Sequence, residues 1–203
     1  MAEPQEDGQD SEQRILEAAK RVFVKKGMDG AVLQDIADAA QISRTALHYY
    51  FRSKEKLFAA VLEDLLNRTV PQLENIMSQD IPFDHKVARF VDEYLDFLRV
   101  NPYLPNFFMN ELNKNPERMI KRLSQFGFYS QKSRERFQWE LEQINKDIPA
   151  EQFVMNLISL CVFPFIAKPL VKAFYINGRP DEFDRFIEKR KKYIINSLMK
   201  SLQ

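Results

Sequence analysis

The chain has 203 residues, 45% of them hydrophobic, and a formal net charge of +1. That is apolar matter enough for one large core or two small ones, and it excludes a polybasic surface, so any contact with a polyanion must rest on local charge. A single cysteine, Cys161, excludes an internal disulfide framework and fits a reducing compartment.

Residues 1–10 carry Glu3, Glu6, Asp7 and Asp10 without a cation and show no apolar signal segment, so a disordered acidic tail is expected. Asp10 or Ser11 can cap a first helix, with Ile15, Ala19, Val22 and Phe23 on one face and Gly27 placed to end it. A second helix is predicted from Leu33 to Ala40. A third begins at Ser43, whose hydroxyl can cap the free amides, with Ala46, Leu47 and Phe51 inward. Ser53 caps a fourth helix that runs toward Ile76. After Pro82, Val87, Phe90, Val91, Tyr94, Phe97 and Leu98 line a fifth, which Asn101-Pro102 ends. A short aromatic helix follows from about Asn106 to Asn113, then a long one from Pro116 to about Asn145. The next runs from Pro149 to Tyr175 with kinks at Pro164 and Pro169, and the last from Asp181 to Leu202.

No sustained alternation of strand type occurs. The prediction is therefore all-α with about nine helices: a tail at 1–10, a compact three-helix unit at 11–58, and a larger bundle at 59–203. The most apolar run, Phe153 to Ala167, is too short to span a bilayer and is broken by Pro164. A cytoplasmic protein without a membrane partner is expected.

Two short helices joined by the turn Ala40-Gln41-Ile42-Ser43, the second rich in basic and hydrogen-bonding residues, form the pattern of a helix-turn-helix. Such a second helix must offer small or polar groups to base edges and donors to phosphates. Arg44 and Thr45 fall in its first turn, His48, Tyr49 and Tyr50 one turn on, and Lys54 at the start of the next helix, where the dipole also favours a phosphate. Residues 11–60 hold nine cations against six anions. From residue type alone, Tyr49 and Tyr50 serve equally as half-buried packing, His48 as a structural hydrogen bonder, and Arg44 and Lys54 as solvated charges.

A dispersed pattern over residues 15–58 resembles the TetR family of bacterial transcriptional regulators. It comprises Ile15, Ala18-Ala19, Phe23, Gly27, Ile36-Ala37, Ala40, Ser43, Leu47, Tyr50-Phe51, Lys54-Glu55 and Leu57-Phe58. The resemblance implies a DNA-binding domain on a ligand-binding and dimerisation domain, with DNA contacts at Ser43, Arg44, Thr45, His48, Tyr49, Tyr50 and Lys54, and Gln34 in addition. Three positions depart from the family. Gln41 replaces the usual Gly and must accept left-handed backbone, His48 stands where Tyr is commoner, and Ala31-Val32 replace a capping Thr or Ser.

Aromatic and methionine side chains crowd the second unit. As a group they suit an apolar or aromatic ligand pocket, and individually a packed core. Tyr94, Phe97, Phe107, Phe126, Tyr129 and Phe165 are the pocket candidates, with Asn106, Asn110 and Glu111 as polar groups. Cys161 reads as a small core residue. Two histidines, with no carboxylate or cysteine at ligand spacing, and no phosphate loop or nucleophile elbow argue against an enzyme, a metal or a resident cofactor.

The expectation is a repressor that binds a palindromic, double-stranded operator as a homodimer. The seam would lie along the helices at 149–177 and 181–202, and a small effector would release the DNA. The competing reading is a helical ligand-binding or scaffold protein with a vestigial DNA unit, which would lack salt-dependent DNA affinity.

Overall fold

The computed structural model describes residues 4–126, 130–176 and 182–203, with side chains from Asp10 onward apart from Met28. Eleven helices and no strand occur among them. They are α1 (Pro4–Gly30), α2 (Leu33–Ala40), α3 (Arg44–Tyr50), α4 (Lys54–Ser78), α5 (Phe83–Val100), α6 (Leu104–Lys114), α7 (Pro116–Gln125), α8 (Gln131–Glu142), α9 (Ala150–Ile166), α10 (Lys168–Phe174) and α11 (Glu182–Lys200). They group into two compact units, residues 1–67 and 68–203.

In the first unit, the α1 face predicted from spacing is the buried one: Ile15, Ala18, Ala19 and Phe23 have no exposed surface, like Ile36 and Ala37 of α2. The small alanines let α1 and α2 lie close. Phe23 meets Phe58 of α4 with ring centroids 4.4 Å apart, and Leu47 of α3 is sealed beneath. Truncating such a ring costs about 3–5 kcal/mol. Gly27 takes φ 68°, ψ 177° and breaks α1 there, with one further turn to Gly30. Only glycine enters that conformation without strain. Helical backbone begins at Pro4, within the stretch expected as a tail, and residues 1–3 lie outside those described. The Lys20 ammonium bridges Glu17 at 2.7 Å and Asp64 of α4 at 2.6 Å, tying the two long helices.

The second unit has one core. Phe83 and Phe137 pack at 5.4 Å, Phe83 and Phe153 at 5.5 Å, and Phe137 and Phe153 at 5.8 Å, around Val87, Leu157, Ile187 and Ile194. Inside it lies a charge pair. Lys86, only 2% exposed, donates to both carboxylate oxygens of Glu140 at 2.6 and 2.7 Å, and Arg136 adds a 3.0 Å bond.

Two predicted helices are divided, which turns nine into eleven. The long helix from Pro116 becomes α7 and α8 because Ser130 makes a fresh N-cap, its hydroxyl accepting from the Ser133 amide at 3.2 Å. The helix after Pro149 breaks at Ala167, where α9 and α10 diverge by 71°. Pro164 instead sits within a continuing α9, and Pro169 lies in the first turn of α10, where its missing N–H would have had no intrahelical partner. Pro164 leaves the Leu160 carbonyl without its helical donor, and the Arg190 Nε of α11 fills that gap at 3.1 Å. Its neighbour Lys191 contacts Asp96 at 2.9 Å, Glu188 at 3.4 Å and Asp92 at 3.8 Å. Arg190 and Lys191 thus pin α11 to α9 and α5. The expected opening of the last helix at Asp181 lies outside the described residues.

Candidate nucleic-acid interface

The turn between α2 and α3 is built by backbone and closed from behind. Gln41 is left-handed at φ 58°, ψ 43°, the only non-glycine with positive φ among the described residues. Its N–H reaches the Asp38 carbonyl at 3.1 Å and the Ile42 N–H reaches Ala37 at 3.0 Å, the paired bonds of a Schellman ending. Two arginines of α1 then take the last carbonyls of α2. Arg14 donates to Ala40 at 3.2 Å and Arg21 to Ala39 at 3.3 Å, where a cation also suits the negative helix end. Ser43 caps α3, accepting from the Ala46 amide at 3.0 Å. Ser53 caps α4 through Lys56 at 3.2 Å.

Only Leu47 of α3 is buried; Phe51 follows it into the core. Arg44, Thr45, His48 and Tyr49 are exposed together on α3, and Arg52, also exposed, follows in the extended connection to α4. Tyr49 is 84% exposed and meets the half-buried Tyr50 edge to face at 5.5 Å. Ile42 to Phe58 holds four cations and one carboxylate. Tyr50 braces, Tyr49 projects, and Gln34 is exposed on α2, its amide held by Asp38 at 2.8 Å. Lys54 is engaged inward: its ammonium donates to the Ala31 carbonyl at 3.1 Å and to Asp29 at 3.5 Å, fastening α4 to the α1–α2 connection.

The second unit contains a partly open slot of about 60 Å³. Met77, Phe90, Phe137, Val154, Leu157 and Ile158 form its apolar walls, and Glu74 and Ser133 its polar end. None of the pocket candidates read from the sequence lines it. Phe165 and Phe107 are buried, Tyr94 stacks between Phe90 and Phe97, Phe126 is half-buried, and Asn106 is exposed. Tyr129 lies outside the described residues. Burial pushes the Tyr94 phenol up, and pushes the Cys161 thiol up to about 12, which keeps the sulfur protonated and unreactive.

Residues 15–61 match the family profile described as "Bacterial regulatory proteins, tetR family". Over this segment the chain is similar to the DNA-binding domain of TetR-family regulators. The regulator TtgR of Pseudomonas putida is 38% identical over 60 residues, covering 30% of this chain and 29% of TtgR. RutR of Escherichia coli is 33% identical over 98 residues, 48% of this chain and 46% of RutR. The match therefore spans less than half the length of these relatives. Over the whole chain the likeness is one of fold. A TetR/AcrR regulator of Thermobifida fusca has a TM-score of 0.65 at 18% identity, covering 92% of this chain and 97% of its own. FadR of Bacillus subtilis, solved with stearoyl-CoA, has a TM-score of 0.60 at 12% identity, covering 90% and 97%.

Against the TetR pattern, two of the three departures have a local answer. Gln41 takes the left-handed turn that glycine usually fills. Val32 has no side-chain oxygen to cap α2, and the Asp35 carboxylate turns back to the Val32 N–H at 3.3 Å. The Lys26 ammonium at 2.8 Å and then that N–H hold the Asp35 carboxyl below its ordinary range. The arginine clamp on α2 and the inward turn of Lys54 were not legible in the sequence, because side-chain bonds to distant carbonyls leave no trace in spacing. Arg52, exposed just past α3, was not among the residues read from the sequence; its place in the cluster with Lys54 and Lys56 is the signal that could have found it.

Proposed function

We propose that the protein is a ligand-responsive transcriptional regulator that binds a palindromic operator as a dimer and represses until a small apolar or aromatic effector releases it. The observation that carries this is the exposed face of α3. Arg44, Thr45, His48 and Tyr49 stand together on a helix anchored by Leu47, with the exposed Arg52 two residues past its end, inside the segment that matches the TetR family. Arg44 and Thr45, nearest the N-terminus, address base edges; Tyr49, Tyr50 and Ser43 address sugar and phosphate, and His48 either. Gln34 adds a contact from α2. Lys54 serves first as a brace, and the positive N-terminus of α4 around it attracts the backbone.

Dimerisation is supported by apolar surface on the last helices. Met155 and Phe163 of α9, Leu170 and Phe174 of α10, Tyr175 at the end of α10 and Tyr193 of α11 are all more than half exposed, and exposed apolar surface of this kind marks interaction sites. They belong to the stretches 149–177 and 181–202, apart from residues 177 and 181, which lie outside those described. Two copies would have to set their α3 helices about 34–36 Å apart to read successive major grooves. Relatives such as TtgR and RutR carry the name of transcriptional regulator, and FadR was solved with a ligand. No single helix among the described residues is long and apolar enough to cross a membrane, in keeping with a place in the cytoplasm beside DNA.

The slot between α4, α5, α8 and α9 is the candidate effector site. Helix α4 supplies Glu74 and Met77 to it and begins at Lys54, so a ligand that moves α4 acts on the brace of the recognition unit. The coupling needs a few kcal/mol of preference for the released state. A gel shift with palindromes from the DNA upstream of the gene, at several salt concentrations, tests the reading. Salt-dependent binding that Arg44→Ala and Tyr49→Ala each weaken by about tenfold or more supports it. Binding that ignores both substitutions sinks the assignment of α3.

A further inference from the structure

His48 stands exposed in the second turn of α3, one turn after Arg44 and ahead of Arg52 in the connection to α4. Its imidazole makes no hydrogen bond, ion pair or ring contact among the described residues. Position divides the work of such a helix. Its first residues reach base edges, and groups a turn further on meet the sugar–phosphate backbone.

Charge points the same way. Between Ile42 and Phe58 the one carboxylate is Glu55, against Arg44, Arg52, Lys54 and Lys56. Tyr49 and Tyr50 adjoin His48 as polar rings. Carboxylates of the neighbouring helices have partners of their own. On α2, Asp35 meets Lys26 at 2.8 Å and Asp38 accepts from the Gln34 amide at 2.8 Å. Glu17 of α1 and Asp64 of α4 share Lys20. The α1 cations Arg14 and Arg21 are engaged with Ala40 and Ala39, and Lys54 with Ala31. What is left to answer an imidazolium here is the phosphate of a bound duplex. Histidine is the side chain whose charge changes between about pH 5 and 8, and once protonated it donates from both ring nitrogens. Phosphate oxygens favour that charged, doubly donating form.

We propose that His48 is a proton-dependent phosphate contact: it grips the DNA backbone as imidazolium, each subunit takes up a proton on binding, and affinity rises as pH falls. This rests on the DNA-binding reading of α3 above and gives His48 one of the two roles left open there. The Tyr that is commoner at this position in TetR-like sequences offers its hydroxyl hydrogen throughout this pH range, so the exchange of Tyr for His itself creates the dependence.

The test measures binding of the full chain to a palindromic operator and to a random duplex of equal length, from about pH 5.5 to about pH 8 at fixed ionic strength. Affinity should fall by about tenfold or more across that range, and by the same factor on both duplexes, because a phosphate contact is blind to sequence. The plot of log affinity against log salt should be steeper by about 2 at the acid end for a dimer. His48→Gln should hold the weak, alkaline level at every pH, and His48→Arg the strong, acid level. His85→Gln removes the other histidine, exposed on α5 beside Asp84, and should leave the profile unchanged. A flat profile, a pH effect confined to the operator, a dependence that survives His48→Gln, or Gln and Arg variants that bind alike overturns the proposal. The comparison of the two duplexes on the unsubstituted chain decides the matter even if a variant fails to fold. Absence of DNA binding at every pH rejects the regulator reading as well, whereas salt-dependent binding that ignores pH rejects the role of His48 alone.

Discussion

Gln41 carries backbone strain that its side chain does nothing to relieve. A left-handed residue costs about 1–2 kcal/mol unless it is glycine, whose greater freedom when unfolded returns part of that gain. Gln41→Gly should therefore stabilise the first unit by about 0.5–1 kcal/mol, read as a higher urea midpoint at unchanged slope. Ser43 is the opposite case: its hydroxyl caps the Ala46 amide, and Ser43→Ala should cost about 1 kcal/mol by the same measurement. Both positions were readable from the chain, one by its departure from glycine and one by its place before a helical run. Lys54 was not. Its charge at a helix start suggested a phosphate, while the bonds to Ala31 and Asp29 depend on where the α1–α2 connection lands in space.

At the scale of elements, spacing sufficed for α2 and α5, whose bounds the periodicity and flanking prolines mark. It failed where a cap restarts a helix in mid-run, as at Ser130, or where a distant side chain rescues a proline, as Arg190 does for Leu160. The α5–α8 contact contains the Lys86–Glu140 pair, with both charges largely removed from water. Glu140→Gln leaves the Lys86 charge buried against a neutral amide and should cost about 3–5 kcal/mol, whereas Lys86→Met with Glu140→Leu should be near neutral or stabilising; chemical denaturation of the two variants separates the cases. The α5–α11 seam responds to pH. Burial opposes the Lys191 charge, but Asp96, Glu188 and Asp92 together raise its pKa above the ordinary 10.5. A raised folded value means the protonated form is favoured by folding. The contribution is thus complete below pH 10.5 and is lost as pH rises through the folded value. The stability gap between the native chain and Lys191→Met should shrink over that alkaline range.

For the whole molecule, each unit keeps a core of its own, and the cations around α3 are local to one of them. In the proposed dimer each phosphate contact counts twice. Arg44→Ala should then flatten the plot of log affinity against log salt by about 2 if it meets a phosphate. If it reads a base, it should instead relax sequence preference at one position in each half-site. The all-helical architecture and the exposed face of α3 were legible because their periodicity is written along the chain. The slot was not, since Glu74, Phe90, Ser133 and Leu157 come from four helices and share a cavity only through packing; the rings that looked most like a pocket are mostly spent in the core.

The anchoring of α3 by one buried leucine has an evolutionary consequence. Leu47, the Ser43 cap and the arginine clamp behind α2 fix the position of the helix, and of these only Ser43 is shared with the proposed DNA contacts. Exchanges at 44, 45, 48 and 49 leave every one of those supports intact. A duplicated copy of this gene could be retargeted to a new promoter by a handful of surface changes while its thermal stability stayed level. A library randomised at those four sites should return mostly folded proteins that differ in the DNA they choose.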